Sequence, residues 1–215
     1  MTQPLLSIQI PTVVGREKEY AFIEEVVRNQ CVAIGEEPMY GWTDGPCEGM
    51  GGWGSKNIHF MYYRDNKELT IGEKRERMYA RSRGLYSWQI DDDDSIDGRA
   101  IEKILAIIRA EKPDCITFKE LCTINGKEFT SNHSLKYDDW GENQDGYDYV
   151  RTPYFKDVIR TDIAQTVPVP RIRYGEDHAW ARALKPHLLT EHHIDEFIYF
   201  YNHNSTPHEQ RYGIV

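Results

Sequence analysis

Four consecutive carboxylates, Asp91, Asp92, Asp93 and Asp94, follow the stretch Tyr86-Ser87-Trp88-Gln89-Ile90. Neighbouring residues lie within about 3.5 Å of one another along the chain, so these charges repel strongly unless a cation sits among them. The residues before them are aromatic and β-branched, the composition of a short buried strand. An acidic run at the end of a core strand stands where open α/β sheets keep their ligand crevices, and the chemistry it suggests is a bound metal ion. A solvated acidic turn is the plainer reading of any such run; the strand before it, with Trp88 and Ile90, favours the metal.

Two cations stand upstream. Lys74 and Arg75, in Gly72-Glu73-Lys74-Arg75, open a helix expected over Ile71 to Ser82. Positive charge there opposes the helix dipole unless an anion is bound. A diphosphate bridged by a divalent cation to the aspartates satisfies all of these charges; pairing of Lys74 and Arg75 with Glu73 and Glu76 at the surface is the competing reading. His187, Glu191, His192 and His193 look like a metal cluster, but His-x-x-x-Glu-His has one residue too many for the inverted zincin motif. They are read as helix-end and turn residues.

The elements that must position these groups alternate. Leu5 to Ile10 has a compact strand pattern, stopped by Pro11-Thr12, and Glu17 to Asn29 carries Tyr20, Ile23, Val26 and Val27 at helical spacing. Gly35 to Ser55, rich in Gly and Trp, reads as a long surface loop and candidate lid. Asn57 to Tyr63 is a second strand. After the Lys74 helix and the acidic strand comes a helix over Ser95 to Ala110, with Ile101, Ile104, Leu105 and Ile108 on one face, then the strand Cys115 to Phe118. This alternation predicts an α/β layered domain with a mostly parallel sheet. Leu121 to Ser134 reads as a hairpin around Asn125-Gly126, Tyr154 to Ala164 includes a short helix, Gln165 to Tyr174 is extended, Asp177 to Leu184 is a helix, and Ile194 to Tyr201 is a closing strand.

Composition sets outer limits. The 215 residues are 40% hydrophobic and 12% aromatic, enough for a sizeable core in one domain, and a net charge of −9 argues against a broad grip on nucleic acid or anionic membrane. The four cysteines, Cys31, Cys47, Cys115 and Cys122, form no C-x-x-C pair. With no signal-peptide pattern at the N-terminus and no stretch near the ~20 apolar residues of a membrane span, the expectation is a cytoplasmic protein with free thiols.

In their order along the chain, these pieces resemble the family 2 glycosyltransferases with the GT-A fold. The first strand Ser7-Ile8-Gln9-Ile10-Pro11-Thr12, then Asp65-Asn66 with Ile71-Gly72-Glu73-Lys74-Arg75, then the Asp-x-Asp-Asp run, then Gly175-Glu176-Asp177, and last Ile198-Tyr199-Phe200-Tyr201 are similar to motifs of that family and cover nearly the whole chain. The resemblance implies a Rossmann-like mixed central sheet flanked by helices in a single domain, with a nucleotide-sugar-binding half over residues 1–120 and an acceptor-side half over 121–215. It implies that Pro11, Thr12 and Asp65 contact the nucleoside of a nucleotide-sugar donor, a UDP-sugar first, with Lys74 and Arg75 near its phosphates and Asp91 near the ribose. Asp93 is then the main ligand of Mn²⁺ or Mg²⁺, with Asp91, Asp92 and Asp94 as further ligands or hydrogen-bond partners, and His203 as a late histidine ligand. Asp177 is the implied general base of an inverting transfer and Glu176 its support; capping of the helix that begins at His178 is the alternative role.

The Gly/Trp stretch departs from the family pattern, and its tryptophans either stack on a sugar ring or close a local core. The acceptor stays open among a glycan, a protein and a modified nucleic-acid base. Two rival readings are a metal-dependent nucleotidyl or phosphoryl transferase, which leaves Glu176-Asp177 unexplained, and a non-catalytic carbohydrate- or cation-binding module, whose Ca²⁺-loop spacing the Asp run lacks.

Overall fold

Leu6, Ile8 and Ile10 have no solvent exposure, and neither do Ser7 and Gln9 between them, so the strand they form is covered on both faces. The computed structural model describes residues 3–40 and 49–204. In chain order its elements are β1 (Leu6–Val13), α1 (Glu17–Ala33), β2 (Met39–Tyr40), β3 (Met50–Gly54), β4 (Ile58–Asp65), α2 (Ile71–Ala80), β5 (Tyr86–Gln89), β6 (Ser95–Ile96) and α3 (Ala100–Ala110). The second half holds β7 (Cys115–Ile124), β8 (Lys127–His133), β9 (Gly141–Gln144), β10 (Tyr147–Arg151), β11 (Val158–Arg160), α4 (Thr161–Ala164), α5 (Glu176–Leu184) and β12 (Glu191–His203).

β1 lies between β4 and β5, parallel to both. The sheet then turns mixed: β11 is antiparallel to β5 and to β7, while β12 runs parallel to β7 along its length. β7 is the branch point, because its other side is shared by β11 at Cys115 and Ile116 and by β8 from Lys119 to Ile124. From there β8, β10 and β9 extend the sheet. The result is one α/β domain with a mixed central sheet flanked by helices.

The apolar side chains of β1 pack with α1 and α3, whose Ile23, Val27, Ile101, Ile104, Leu105 and Ile108 are buried at the helical spacing read from the sequence. Each such burial contributes about 1.5–3 kcal/mol, and truncating Ile104 to Ala would cost about 2–5 kcal/mol. On the opposite face Gln9 donates to the Met78 carbonyl (2.9 Å) and so ties β1 to α2. Thr70 and Glu73 cap α2 reciprocally, side chain to backbone in both directions. Gly72 is required there, since a Cβ would collide with the Pro170 carbonyl.

Several expectations change. Pro11 and Thr12 do not stop the first strand; β1 continues to Val13 beside β4, beyond the last residue paired with β5, where a missing N–H is tolerated. The Gly/Trp stretch is not a loop throughout, because β2 and β3 build a sheet edge on β4. Its glycines are there for packing: a Cβ on Gly52 would strike the Phe60 carbonyl. Trp53 is 1% exposed and stacked on Phe60 (4.9 Å), so it closes a local core, whereas Trp42 and Cys47 lie outside the described residues. Ser95 and Ile96 pair with β12 instead of beginning α3, and Glu191 to His193 start that strand instead of forming a turn. The hairpin at Asn125-Gly126 forms as expected, both residues having positive φ (51° and 76°). Cys31, Cys115 and Cys122 are buried free thiols. No helix among the described residues is long and apolar enough to cross a membrane.

Candidate active site

β5 delivers the acidic run to the end of β1, and the run divides by direction. Asp92 and Asp94 turn inward, with side chains 2% and 0% exposed, while Asp91 (23%) and Asp93 (41%) face out. Asp92 accepts from Thr12 Oγ1 (2.6 Å) at the end of β1 and pairs with Arg16 (3.0 Å). Asp94 accepts from the Tyr199 hydroxyl (2.7 Å) and the Asn202 N–H (3.1 Å), and Lys156 Nζ lies 3.4 Å away. The same Tyr199 hydroxyl accepts from the Asp91 N–H (3.0 Å), so β12 pins both ends of the run. Burial pushes Asp92 up to about 6, against the opposing pull of Thr12 and Arg16, and pushes Asp94 upward against the pull of Lys156.

Lys74 and Arg75 are not surface cations awaiting an anion. Lys74 Nζ is buried against Asp65 (2.5 Å) and the Thr12 carbonyl (2.7 Å). Burial of Asp65 works against its charge, yet Lys74 and the Leu69 N–H hold it below the usual carboxylate range. Arg75 lies 3.3 Å above the Phe155 ring and reaches Asp91 (3.0 Å), Gln89 Oε1 (3.2 Å) and Glu176 (3.4 Å). Their carboxylate partners come from β4, from the acidic run and from α5, not from Glu73 or Glu76. Pro11 and Thr12 stand opposite Tyr63 and Arg64 in the β1–β4 register, one step from Asp65, which opens onto a cavity of about 860 Å³ between β4 and α2.

A second cavity, of about 400 Å³, brings together the groups from the two halves of the chain: Arg75 and Asp91 on one side, Glu176 and Asp177 at the start of α5 on another. Gly175, with φ +77°, turns the chain into that helix. Glu176 is 6% exposed and held by Arg75; burial raises its pKa, with Arg75 opposing. Asp177 is half-buried, accepts from the neighbouring His178 N–H (2.8 Å) and has no cation paired with it among the described residues. A carboxylate so placed, open to a cavity and not neutralised, can accept a proton.

The floor of this cavity contains Glu120 and Lys156, which sequence reasoning missed. Lys156 Nζ is 2.7 Å from Glu120, which also meets His133 (3.2 Å), and His133 meets Asp157 (3.1 Å). All four are buried. Burial disfavours charge on His133, but Asp157 and Glu120 outweigh it and raise its pKa to about 9. Lys156 and Asp157 lie in a run that is buried from Thr152 to Ile159, and Glu120 lies in β7, so burial in the fold, and no local sequence pattern, is what singles them out.

The donors for a metal are oxygen-rich. No three His, Cys, Asp or Glu side chains among the described residues converge as a ready cluster. Asp91 and Asp93 face out, and His203, at the end of β12, has a buried Nε2 with no hydrogen-bond partner among the described residues and a ring stacked on Tyr201 (6.0 Å). Asp91 and Asp93 are paired with Arg75 (3.0 Å) and Arg16 (2.5 Å), and their oxygens are of the type taken by Mn²⁺ or Mg²⁺, ions that are often held by one or two carboxylates with substrate phosphates completing the shell.

No protein-family model matches the sequence, and no curated protein does. Solved structures do match the fold. Residues 1-349 of S. aureus TarS in complex with UDP-GlcNAc superpose with a TM-score of 0.62 at 14% identity, covering 96% of this chain and 60% of that one. The same fragment in complex with UDP gives 0.60 at 15% identity, covering 98% and 63%. A longer S. aureus TarS structure gives 0.60 at 12% identity, covering 98% of this chain and 38% of that one. The chain therefore spans less than two thirds of the length of these proteins, and at such identity what they share with it is the fold.

Proposed function

We propose that this chain is a glycosyltransferase that moves a sugar from a nucleotide diphosphate, a UDP-sugar first, to an acceptor hydroxyl with inversion. The observation that carries this is the 400 Å³ cavity into which Asp91 and Arg75 from one half, and Glu176 and Asp177 from the other, project together. The fold likeness supports it, since structures of TarS with this fold are complexes with UDP-GlcNAc and UDP. Pro11, Thr12 and Asp65 take the nucleoside side, and Asp91 and Asp93, with His203 in reserve, hold Mn²⁺ or Mg²⁺. When bound, the ion neutralises charge on the leaving diphosphate. Asp92 and Asp94 brace the turn that presents them, and Lys74 and Arg75 fix Asp65 and Asp91.

Asp177 takes the acceptor proton as the acceptor oxygen bonds to the anomeric carbon, and the bond from that carbon to the diphosphate oxygen breaks on the opposite face. Glu176, tied to Arg75, couples the base-bearing helix to the donor side. A thermal-shift and calorimetric titration with UDP, with and without Mn²⁺, tests the reading. Stabilisation by UDP that grows with Mn²⁺ is expected, at about 2.7 kcal/mol when ligand is 100 times its Kd. Stabilisation by free sugar or Ca²⁺ alone, without response to UDP, would replace it with a binding module.

A further inference from the structure

The wall of the 400 Å³ cavity built by β8, β9 and β10 carries a cation with no carboxylate paired to it among the described residues. Of the three cations lining the cavity, Arg75 is neutralised by Asp91 and Glu176, and Lys156 by Glu120 and Asp94. Arg151 is half-buried and, among the described residues, has no carboxylate within ion-pair distance; even Glu142 and Asp177, which share the cavity with it, do not pair with it. Its Nη1 donates to the carbonyls of Gly141 (3.2 Å) and Val150 (2.9 Å), and its guanidinium lies over the rings of Trp140 (4.6 Å) and Tyr149 (5.0 Å). A guanidinium has five N–H donors in a fixed fork, so the backbone contacts leave part of the fork unused while the rings hold it still.

Two more polar groups of the same wall are unsatisfied. Among the described residues, Ser131, 1% exposed, has a hydroxyl with no hydrogen-bond partner, and the Trp140 Nε1 is buried without one. Buried polar atoms without partners are uncommon and mark places where something else supplies the bond. The location of the wall is fixed by Trp140, whose ring stacks on His178 (4.8 Å), the residue after Asp177. Arg151 therefore belongs to the base side of the cavity, where an acceptor enters, and not to the side of Arg75 and Asp91.

We infer that the acceptor is a glycan bearing an anionic substituent, a carboxylate or a phosphate, close to the hydroxyl that is glycosylated, and that Arg151 receives that group with Ser131 and the Trp140 N–H donating beside it. This rests on the transferase reading, because Asp177 marks the acceptor side only if it is the base. The planar fork suits carboxylate and phosphate oxygens alike.

The test is retention of the chain, saturated with UDP and Mn²⁺, on immobilised neutral glycans and on their uronate-bearing and phosphorylated counterparts, with UDP affinity measured calorimetrically on the same preparations. One of the two acidic sets should be retained over its neutral counterpart. Arg151→Gln should lose about 10- to 100-fold of that retention, the size of one charged hydrogen-bonded contact, and UDP affinity should hold. Arg151→Lys, which keeps the charge and the stacking stem but not the fork, should fall between them, and it serves alone if Arg151→Gln does not fold. Equal retention of neutral and acidic glycans, or an acidic preference that survives in Arg151→Gln, overturns the inference while UDP binding stands. Loss of affinity for UDP-glucuronate but not UDP-glucose in Arg151→Gln also overturns it, by moving the anion to the donor. Failure of the unaltered chain to bind UDP sinks the transferase reading itself.

Discussion

Replacing Lys156 by Met removes the cation held between two buried carboxylates, Glu120 at 2.7 Å and Asp94 at 3.4 Å, which are 3% and 1% exposed. The side-chain volumes are similar, so the change is chiefly one of charge. Glu120 keeps His133 at 3.2 Å as a counter-charge, but Asp94 is left with two neutral donors, the Tyr199 hydroxyl and the Asn202 N–H. Breaking a buried pair from one side costs about 3–5 kcal/mol, about a fifth or more of a typical domain's stability. Lys156→Met should therefore lower the free energy of unfolding in urea at pH 8, without metal, by about that amount. Asp94 is already pushed up by burial, and without its cation it is pushed further. A carboxylate with a raised pKa stabilises the folded state below its unfolded pKa and loses that contribution as pH rises, so the deficit should shrink toward pH 5. Adding Asp94→Asn should return part of the loss, with a coupling of about 0.5–3 kcal/mol. A single-variant loss under about 1 kcal/mol, or no recovery in the double variant, would show that the buried pair does not hold the acidic turn.

Three further outcomes are expected. Asp93→Ala should abolish the Mn²⁺-dependent part of UDP binding in calorimetry while moving the metal-free melting temperature little, because the pair it breaks with Arg16 is more than a third exposed on both sides; metal-dependent binding that persists would remove the ligand assignment. Asp177→Asn should keep UDP affinity and lose about 10²–10⁴-fold in transfer, or in slow donor hydrolysis where no acceptor is at hand, and full activity would end its role as base. His133, raised from 6.5 to about 9, contributes stability in full below pH 6.5 that disappears as pH rises through 9, about 3 kcal/mol at 1.36 kcal/mol per unit. Urea unfolding between pH 6.5 and 9.5 should show that fall, and His133→Asn should flatten it; an equal slope in the variant would refute the charged histidine.

What could be read from the sequence is what depends on near neighbours. The apolar face of α3, the Asn125-Gly126 hairpin and the acidic run at the end of β5 each lie within a dozen residues, and each took the form its local pattern implied. The partners of the charged residues are set by contacts across the chain. Arg75 meets Glu176 101 positions away, and Asp94 meets Tyr199 105 away, so no window of sequence contains either pair. That distance hid Glu176 from Arg75, whereas Lys74 meets Asp65 only nine positions away, across the turn from β4 to α2, a pairing that no helical or strand period marks. The glycines of β3 misled for a related reason: in isolation they signal a loop, but the Phe60 carbonyl and the Tyr62 ring leave no space for side chains at Gly52 and Gly51.

The division of the aspartates carries the same point into the site. A strand that is buried on one face announces which of its successors point inward, since its own side chains alternate. Tyr86, Ser87, Trp88 and Gln89 are buried on both faces, so β5 transmits no phase to the residues that follow it. What fixes the phase is β12: Tyr199 bonds the Asp91 N–H and the Asp94 carboxylate at once, and with the chain held at those two points Asp93 projects outward beside Arg16. The closing Tyr199, similar to a motif residue with no evident chemistry of its own, thus decides which carboxylates are available to a cation. Tyr199→Phe removes the hydroxyl and leaves the ring, so it should weaken Mn²⁺-dependent UDP binding through Asp91 and Asp93 although it touches neither carboxylate. Calorimetry in which the Phe variant binds UDP and Mn²⁺ as the unaltered chain does would mean that the turn keeps its shape without β12.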